Sequence, residues 1–419
     1  MQENSLWDCA ALGLAACEEL EALGDGAGAS IARTMAWASI NSGSYERDHL
    51  AVMAQALQSA FSTLPGAVER LPLDPWPRLR IDGARTPVAL GEALRVRVRP
   101  AAPVQIALTG HYDTVFPADH AFQHVVEQAD RLHGPGVADM KGGLSVMLDA
   151  LAAFERLPGA ASLGYSVLLS PDEEIGSPAS AALLAELGAR CCFGMTYEPA
   201  TADGFLVDAR SGSGNFALWI GGRAAHVGRA FEEGRNAVAA AARFAAGLDA
   251  LNGREAGATF NVAAIEGGGP LNIVPDRALV RFNIRTVDGA QRDWCARELS
   301  RLAEAVGAEA GLQVALDGGF TRPPKPLTRP QQAAAALVSQ AGAWLGLPLQ
   351  FRRSGGVCEG NNLAAAGCPN IDTLGVVGGG LHSSEEFALK RSFGERAQLS
   401  LAILAGIAHG KLDLRSLAA

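Results

Sequence analysis

Between residues 104 and 141 the chain reads VQIALTGHYDTVFP and, after an interval, HGPGVADMKGG. The apolar run 104–108 has the length and composition of a buried strand, and it breaks at Gly110, directly before His111 and Asp113. Alternate strand residues project to the same side, so the imidazole can face a metal while the nearby carboxylate orients it. Asp139 stands in a glycine-rich turn, where the backbone can bend around an ion. Taken alone, one histidine and two acids in loops describe a solvated turn more often than a metal cage.

Further acidic and imidazole groups recur at strand ends. A second buried-strand candidate, 165–169, stops at Ser170-Pro171 and leads into SPDEEIGS, which carries Glu173 beside Glu174. Adjacent carboxylates repel unless a cation or proton is present or their surroundings differ. A division of labour follows: one binds a metal, and the other takes a proton from an activated water. A third apolar stretch ends in Tyr197-Glu198-Pro199, and a fourth, 371–377, runs into VVGGGLHSSEEF with His382 behind three glycines. Together these clusters supply the oxygen and imidazole donors that two zinc-class ions take. A serine-nucleophile reading is weak, because Ser211-Gly212-Ser213-Gly214 lacks the G-x-S-x-G elbow and its strand-turn-helix context.

The elements that must position these groups alternate. Residues 6–75 read as largely helical with a break at 41–44, 79–100 as strand-like, and 142–154 as a helix following the first metal-type motif. Strand and helix in alternation predict an α/β layered domain with ligands gathered at strand ends. At 419 residues the chain exceeds what one core usually organises, so two domains are expected. A formal net charge of -9 offers no cationic surface for nucleic acid. The first residues carry acids where an export signal would carry Lys or Arg, and no apolar run approaches the roughly 20 residues that cross a bilayer. The expectation is a cytoplasmic protein without nucleic-acid or membrane partners. The seven cysteines lack the C-x-x-C spacing of a zinc or redox centre, which predicts free thiols in a reducing compartment, with Cys191 and Cys192 packed in a strand.

The motifs GHYDTVFP, GPGVADMKGG, SPDEEIGS, YEP and GGGLHSSEEF, in this order, resemble the co-catalytic zinc peptidase family of glutamate carboxypeptidase, aminoacylase, acetylornithine deacetylase and succinyl-diaminopimelate desuccinylase, the carboxypeptidase G branch above all. The resemblance runs from about residue 40 to the last helix. It implies a three-layer catalytic domain with an inserted α+β lid and dimerisation domain, a homodimer, and two Zn2+ per subunit, with Co2+ or Mn2+ as substitutes. Asp139 would bridge the two metals, His111 and Glu198 completing one site and Glu174 and His382 the other. Glu173 would be the general base and Asp113 the support of His111. The implied reaction is hydrolysis of an amide in an N-acyl amino acid or peptide, as in a glutamate-carboxypeptidase-like exopeptidase. The alternatives are a deacylase of another N-acylated amine and a noncatalytic ligand-binding homologue. The peptide after Asp139 is often cis in such relatives.

Between Glu198 and His382 the texture changes. Strand-like 214–222, 259–266 and 278–285 interleave with helical 236–251 and 289–306, which predicts one antiparallel sheet with helices on a single face. The expected division is 1–209 and 324–419 for the catalytic domain and 210–323 for the insertion, with glycine and proline at both junctions permitting a hinge. Within the insertion the resemblance assigns His226 to the substrate carbonyl or oxyanion and Asn272 to substrate binding. It assigns Arg285 to the substrate carboxylate, with Arg322 a weaker candidate for that task. SGGVCEGN departs from the family's usual S-D or T-D, placing Cys358 and Glu359 in a loop that borders the substrate pocket.

Overall fold

A computed structural model describes residues 7–417. The first six residues, part of the expected N-terminal helical region, lie outside the described residues. A six-stranded sheet forms the centre, in the order Val68–Leu71, Ala93–Val98, Gly164–Ser170, Gln105–His111, Phe193–Thr196, Asn370–Ile371. The last four of these are mutually parallel, and the first two are joined on through antiparallel pairings. Helices Lys141–Glu155 and Arg391–Ala408 pack on one face through Leu144, Met147, Leu151, Leu399 and Ile403. Ala181–Arg190 and Glu359–Ala365 cover the other around Ala107, Leu168, Leu184 and Leu363. The central strands are apolar on both sides because both faces are covered.

A second sheet, Thr259–Gly267, Arg277–Thr286, Gly212–Gly221, Gln313–Arg322, is antiparallel throughout. Period-two alternation turns Leu218, Ile220, Val280, Phe282 and Ile284 to one face. There they pack with Phe244 of helix Ala237–Asp249 and Leu299 of helix Gly289–Gly307. The opposite face is not bare. A hairpin of Trp76–Leu79 and Arg85–Val88 lies against it: Leu79 packs on Ala217 and Leu279, and Trp219 Nε1 donates to the Ile81 carbonyl at 3.0 Å.

The two chain crossings between the sheets are pinned rather than loose. Arg210 and Lys325 exchange backbone hydrogen bonds of 2.9 and 3.0 Å. The Asn361 side chain donates to the carbonyls of Ser211 and Pro323. Both cations converge on the buried Asp372, each at 2.8 Å. Burial alone would raise the Asp372 pKa, but Arg210 and Lys325 outweigh it and hold the carboxyl below its ordinary value. The glycine and proline at these junctions therefore serve tight passage of the chain.

Three expectations need correction. The stretch 371–377 is a strand only at Asn370–Ile371. Beyond it the chain crosses the end of the neighbouring strand, with Leu374 and Gly375 donating to the carbonyls of Thr196 and Glu198. Cys9 and Cys17 form a disulfide, bringing together two helices that Gly13 separates, so spacing alone misjudged them. Disulfides persist in oxidising surroundings, and the argument for a reducing compartment falls with that pairing. Cys191 and Cys192 precede the strand Phe193–Thr196, the first buried and the second exposed. Among the described residues no helix is long and apolar enough to cross a membrane.

Truncating Asp372 to alanine leaves two buried cations unpaired, so Asp372→Ala is expected to lower the unfolding free energy by about 3–5 kcal/mol in denaturant titration. A loss below ~1 kcal/mol would show that the crossings hold without this carboxylate.

Candidate metal centre

Parallel strands end on the same edge, and the polar motifs follow those ends. His111 closes its strand; Ser170, its neighbour in register, precedes Asp172, Glu173 and Glu174; Thr196 precedes Tyr197 and Glu198. Asp139 stands just before helix Lys141–Glu155 and is joined to it through a cis Asp139–Met140 peptide. His382 lies in the turn between Gly378–Gly379 and Phe387–Leu389, a ladder that also pairs with Arg131–His133 ahead of Asp139. Its φ of 61° places it in the left-handed region, uncommon for a side chain other than glycine.

These residues converge into two donor groups that share one carboxylate: His111, Asp139 and Glu198 in one, and Asp139, Glu174 and His382 in the other. His111 Nε2 is 3.0 Å from Asp139 Oδ1 and 3.8 Å from Glu198 Oε1. His382 Nε2 is 3.3 Å from Asp139 Oδ2 and 3.1 Å from Glu174 Oε2. Each oxygen of Asp139 therefore faces a different imidazole.

The electrostatics ask for added positive charge. Burial, with the like charge of Asp139, pushes the Glu174 carboxyl up to about 8. Burial pushes Glu198 to about 7 against the pull of His111. Burial works against protonation of His111, yet Glu198, Asp113 and Asp139 together hold its pKa above the ordinary value. Glu198 Oε1 is buried with no hydrogen-bond partner among the described residues. A buried oxygen without a partner, beside two further carboxylates and two imidazoles, fits divalent cations in chemistry and in number of donors.

Asp113 joins the two halves. It accepts from Ser44 Oγ at 2.7 Å and from the backbone N–H groups of Glu173 and Glu174, each at 3.1 Å. Its Oδ1 stands 3.3 Å from His111 Nδ1, while its carbonyl is 3.1 Å from the same nitrogen. Glu173 meets Arg322, whose guanidinium binds its Oε1 at 2.6 Å and also reaches Asn362 and Ser177. Arg322 is thus buried behind Glu173 and bonded through both Nη atoms, while its Nε has no partner among the described residues, unlike the exposed arginine its sequence context suggests. Arg285 and Arg322 flank Ser213 in register, on one face of the second sheet. Arg285 donates to Asn283, and its Nη1 is buried without a partner among the described residues. His226 and Asn272 are not in this cluster. His226 is exposed and caps helix Val227–Ala230, and the Asn272 carbonyl accepts from Val227 in the same loop pair.

Sequence reasoning passed over Glu386. Its buried carboxylate accepts from the backbone of Gly136, Ala138 and Asp139 at 3.0–3.1 Å and so shapes the turn that presents Asp139. The signal was the pair Glu385-Glu386, an echo of Glu173-Glu174. Cys358 caps helix Glu359–Ala365 through Sγ, and the buried Glu359 accepts from Ser170 Oγ behind the strand end. The longer acid therefore pairs within the fold.

Residues 107–405 match the model of peptidase family M20/M25/M40. The chain belongs to this family. It is a metal-dependent hydrolase of amide bonds. Carboxypeptidase G2 of Pseudomonas sp. (strain RS-16) is 28% identical over 309 residues, 71% of this chain and 72% of that protein. A succinyl-diaminopimelate desuccinylase of Methylorubrum extorquens is 30% identical over 316 residues, 70% of this chain and 80% of that protein. Among solved structures, a tripeptidase from Staphylococcus aureus superposes with a TM-score of 0.69 at 20% identity, covering 91% of this chain and 98% of its own. Human carnosine dipeptidase 1 gives 0.69 at 15%, covering 93% and 99%. This fold is the α/β catalytic architecture with a second α+β domain expected from the motifs.

Removing the carboxylate that shapes the Asp139 turn is expected to matter at the metal. Glu386→Ala should weaken zinc binding by about 10–100-fold in chelator competition, with the far-ultraviolet circular dichroism unchanged. Undiminished affinity would mean that the turn keeps its shape unaided.

Proposed function

We propose that the chain binds two zinc-class ions, with Asp139 bridging, His111 and Glu198 on one side and Glu174 and His382 on the other. On this reading it releases a C-terminal amino acid from an N-acyl or peptidyl substrate. The observation that carries the reading is the Asp139 carboxylate held between two imidazole Nε2 atoms, one facing each oxygen. Bound there, the ions would supply Lewis acidity that polarises the scissile carbonyl and lowers the pKa of a water in the site.

The residues of the chain do the rest. Arg322 holds Glu173 Oε1, which leaves Oε2 free to accept a proton from that water and return it to the departing amine nitrogen. No covalent intermediate with the enzyme is needed. Asp113 keeps the His111 ring and the Glu173–Glu174 backbone in register. Arg285, with its unpartnered nitrogen on the face that also carries Arg322, receives the free carboxylate of the substrate. The likeness to desuccinylases supports a second reading, the same chemistry on another N-acylated amine. The two differ in whether a free carboxylate beside the scissile amide is required.

Residues 210–323 act in this proposal as the lid and dimerisation domain, and the enzyme is a homodimer. Support comes from Thr259–Gly267, an edge strand that is mostly exposed, and from the exposed Val227, Phe231, Leu271 and Ile273 around His226 and Asn272. His226 and Asn272 then reach substrate from the dimer interface. Leu271→Asp is expected to shift the protein to monomer in sedimentation velocity; an unchanged sedimentation coefficient would count against that face.

The test of the reaction is amine release from N-acyl amino acids and dipeptides by chelated protein before and after zinc is restored. Glu173→Gln should keep its metal content and lose about 10²–10⁴-fold in kcat. Full activity in that variant would remove Glu173 from the chemistry.

A further inference from the structure

A cleft of about 330 Å³ opens beside Glu174 and Thr114 and is bounded by Tyr45 and Ile175. The same two side chains border a second cleft of about 280 Å³, which runs beneath the hairpin and is lined by Trp76 and Arg78 on one side and Asn215 and Asn283 on the other. The two clefts share Tyr45 and Ile175 as lining residues, which sets the hairpin cleft beside the one that opens at Glu174.

The chemistry of the far cleft is selective. Trp76 and Arg78 are two apart on one strand and so share a face. The other charged groups lining it are neutralised: Arg281 pairs with Glu266 at 2.8 Å, and Asp317 with Arg85 at 2.8 Å. Arg78 has no carboxylate partner among the described residues. Its guanidinium lies 5.4 Å from the centre of the Tyr45 ring, a stacking that orients the group while leaving its N–H donors in the plane available. An indole and a phenol ring beside one uncompensated cation suit a flat apolar body that ends in an anion.

We propose that this cleft is the acyl-group subsite, and that it takes acyl groups with an aromatic body and a terminal carboxylate, which Arg78 binds. The inference rests on the amide-hydrolase reading, and it gives the side of the substrate opposite to the released amino acid.

The test compares the N-acetyl, N-benzoyl and N-(4-carboxybenzoyl) derivatives of one amino acid, using zinc-loaded wild type and Arg78→Met, which keeps the apolar stem. Wild type is expected to prefer the carboxybenzoyl substrate. In the variant its kcat/KM should fall about tenfold or more through KM, the scale of one charge-assisted hydrogen bond, while the other two substrates change by less than about twofold. Calorimetry with terephthalate, the free diacid product, should show binding to wild type and at least tenfold weaker binding to Arg78→Met. If no substrate is turned over but terephthalate binds with this dependence on Arg78, the hydrolase reading fails and the subsite stands. Equal losses on all three substrates, or a carboxybenzoyl substrate that neither gains in wild type nor suffers in the variant, would overturn the subsite.

Discussion

Asp113 is the constraint on which the rest of the centre depends. A buried carboxylate tolerates burial only if its lone pairs are filled, and this one is filled by Ser44, by the N–H groups of Glu173 and Glu174, and by the edge of His111. Those partners come from the N-terminal helical region, from the turn after one parallel strand and from the end of its neighbour. One carboxyl group thus fixes a histidine of the first donor group and the backbone of an acid in the second. The sheet makes this possible because parallel strands deliver their ends to a common edge, where ligands of open α/β sheets gather.

The charge distribution extends the same logic. Asp139, Glu174 and Glu198 lie close together in a buried site, and burial pushes two of them towards the neutral form. The pair of imidazoles offsets part of the repulsion, and divalent cations would offset the remainder. Asp372 sits between Arg210 and Lys325, and at the site itself Glu173 is paired with Arg322. The inserted sheet is consequently tied to the catalytic layers at its crossings. The hairpin, through Arg85 and Asp317, ties it again from the other side.

Much of this is legible in the chain itself. His111, Asp139, Glu174, Glu198 and His382 each stand directly after an apolar run or a glycine turn, so a reader of periodicity meets them as strand-end groups, and the structure gathers all five. The inserted sheet shows itself through the alternation of Val280, Phe282 and Ile284 with Arg281, Asn283 and Arg285, and through the apolar run 216–220. What escapes is whatever depends on contacts between distant segments. Glu386 looks like an exposed acid until its three backbone donors, some 250 positions earlier, are seen. Arg322 resembles a surface arginine until its strand is placed beside Ser213. The disulfide of Cys9 and Cys17 hangs on a helix break at Gly13 that spacing alone did not weigh. The role of the 76–88 hairpin is invisible too, because it lies in the packing of Leu79 and Ile81 against Ala217, Trp219 and Leu279 far along the chain.

The most direct test of the central claim is a crystal of the zinc-loaded protein measured at the zinc absorption edge. The account predicts two anomalous peaks flanking Asp139, one within coordination reach of His111 and Glu198 and the other of Glu174 and His382. A single peak, or two peaks that do not share Asp139, would contradict it.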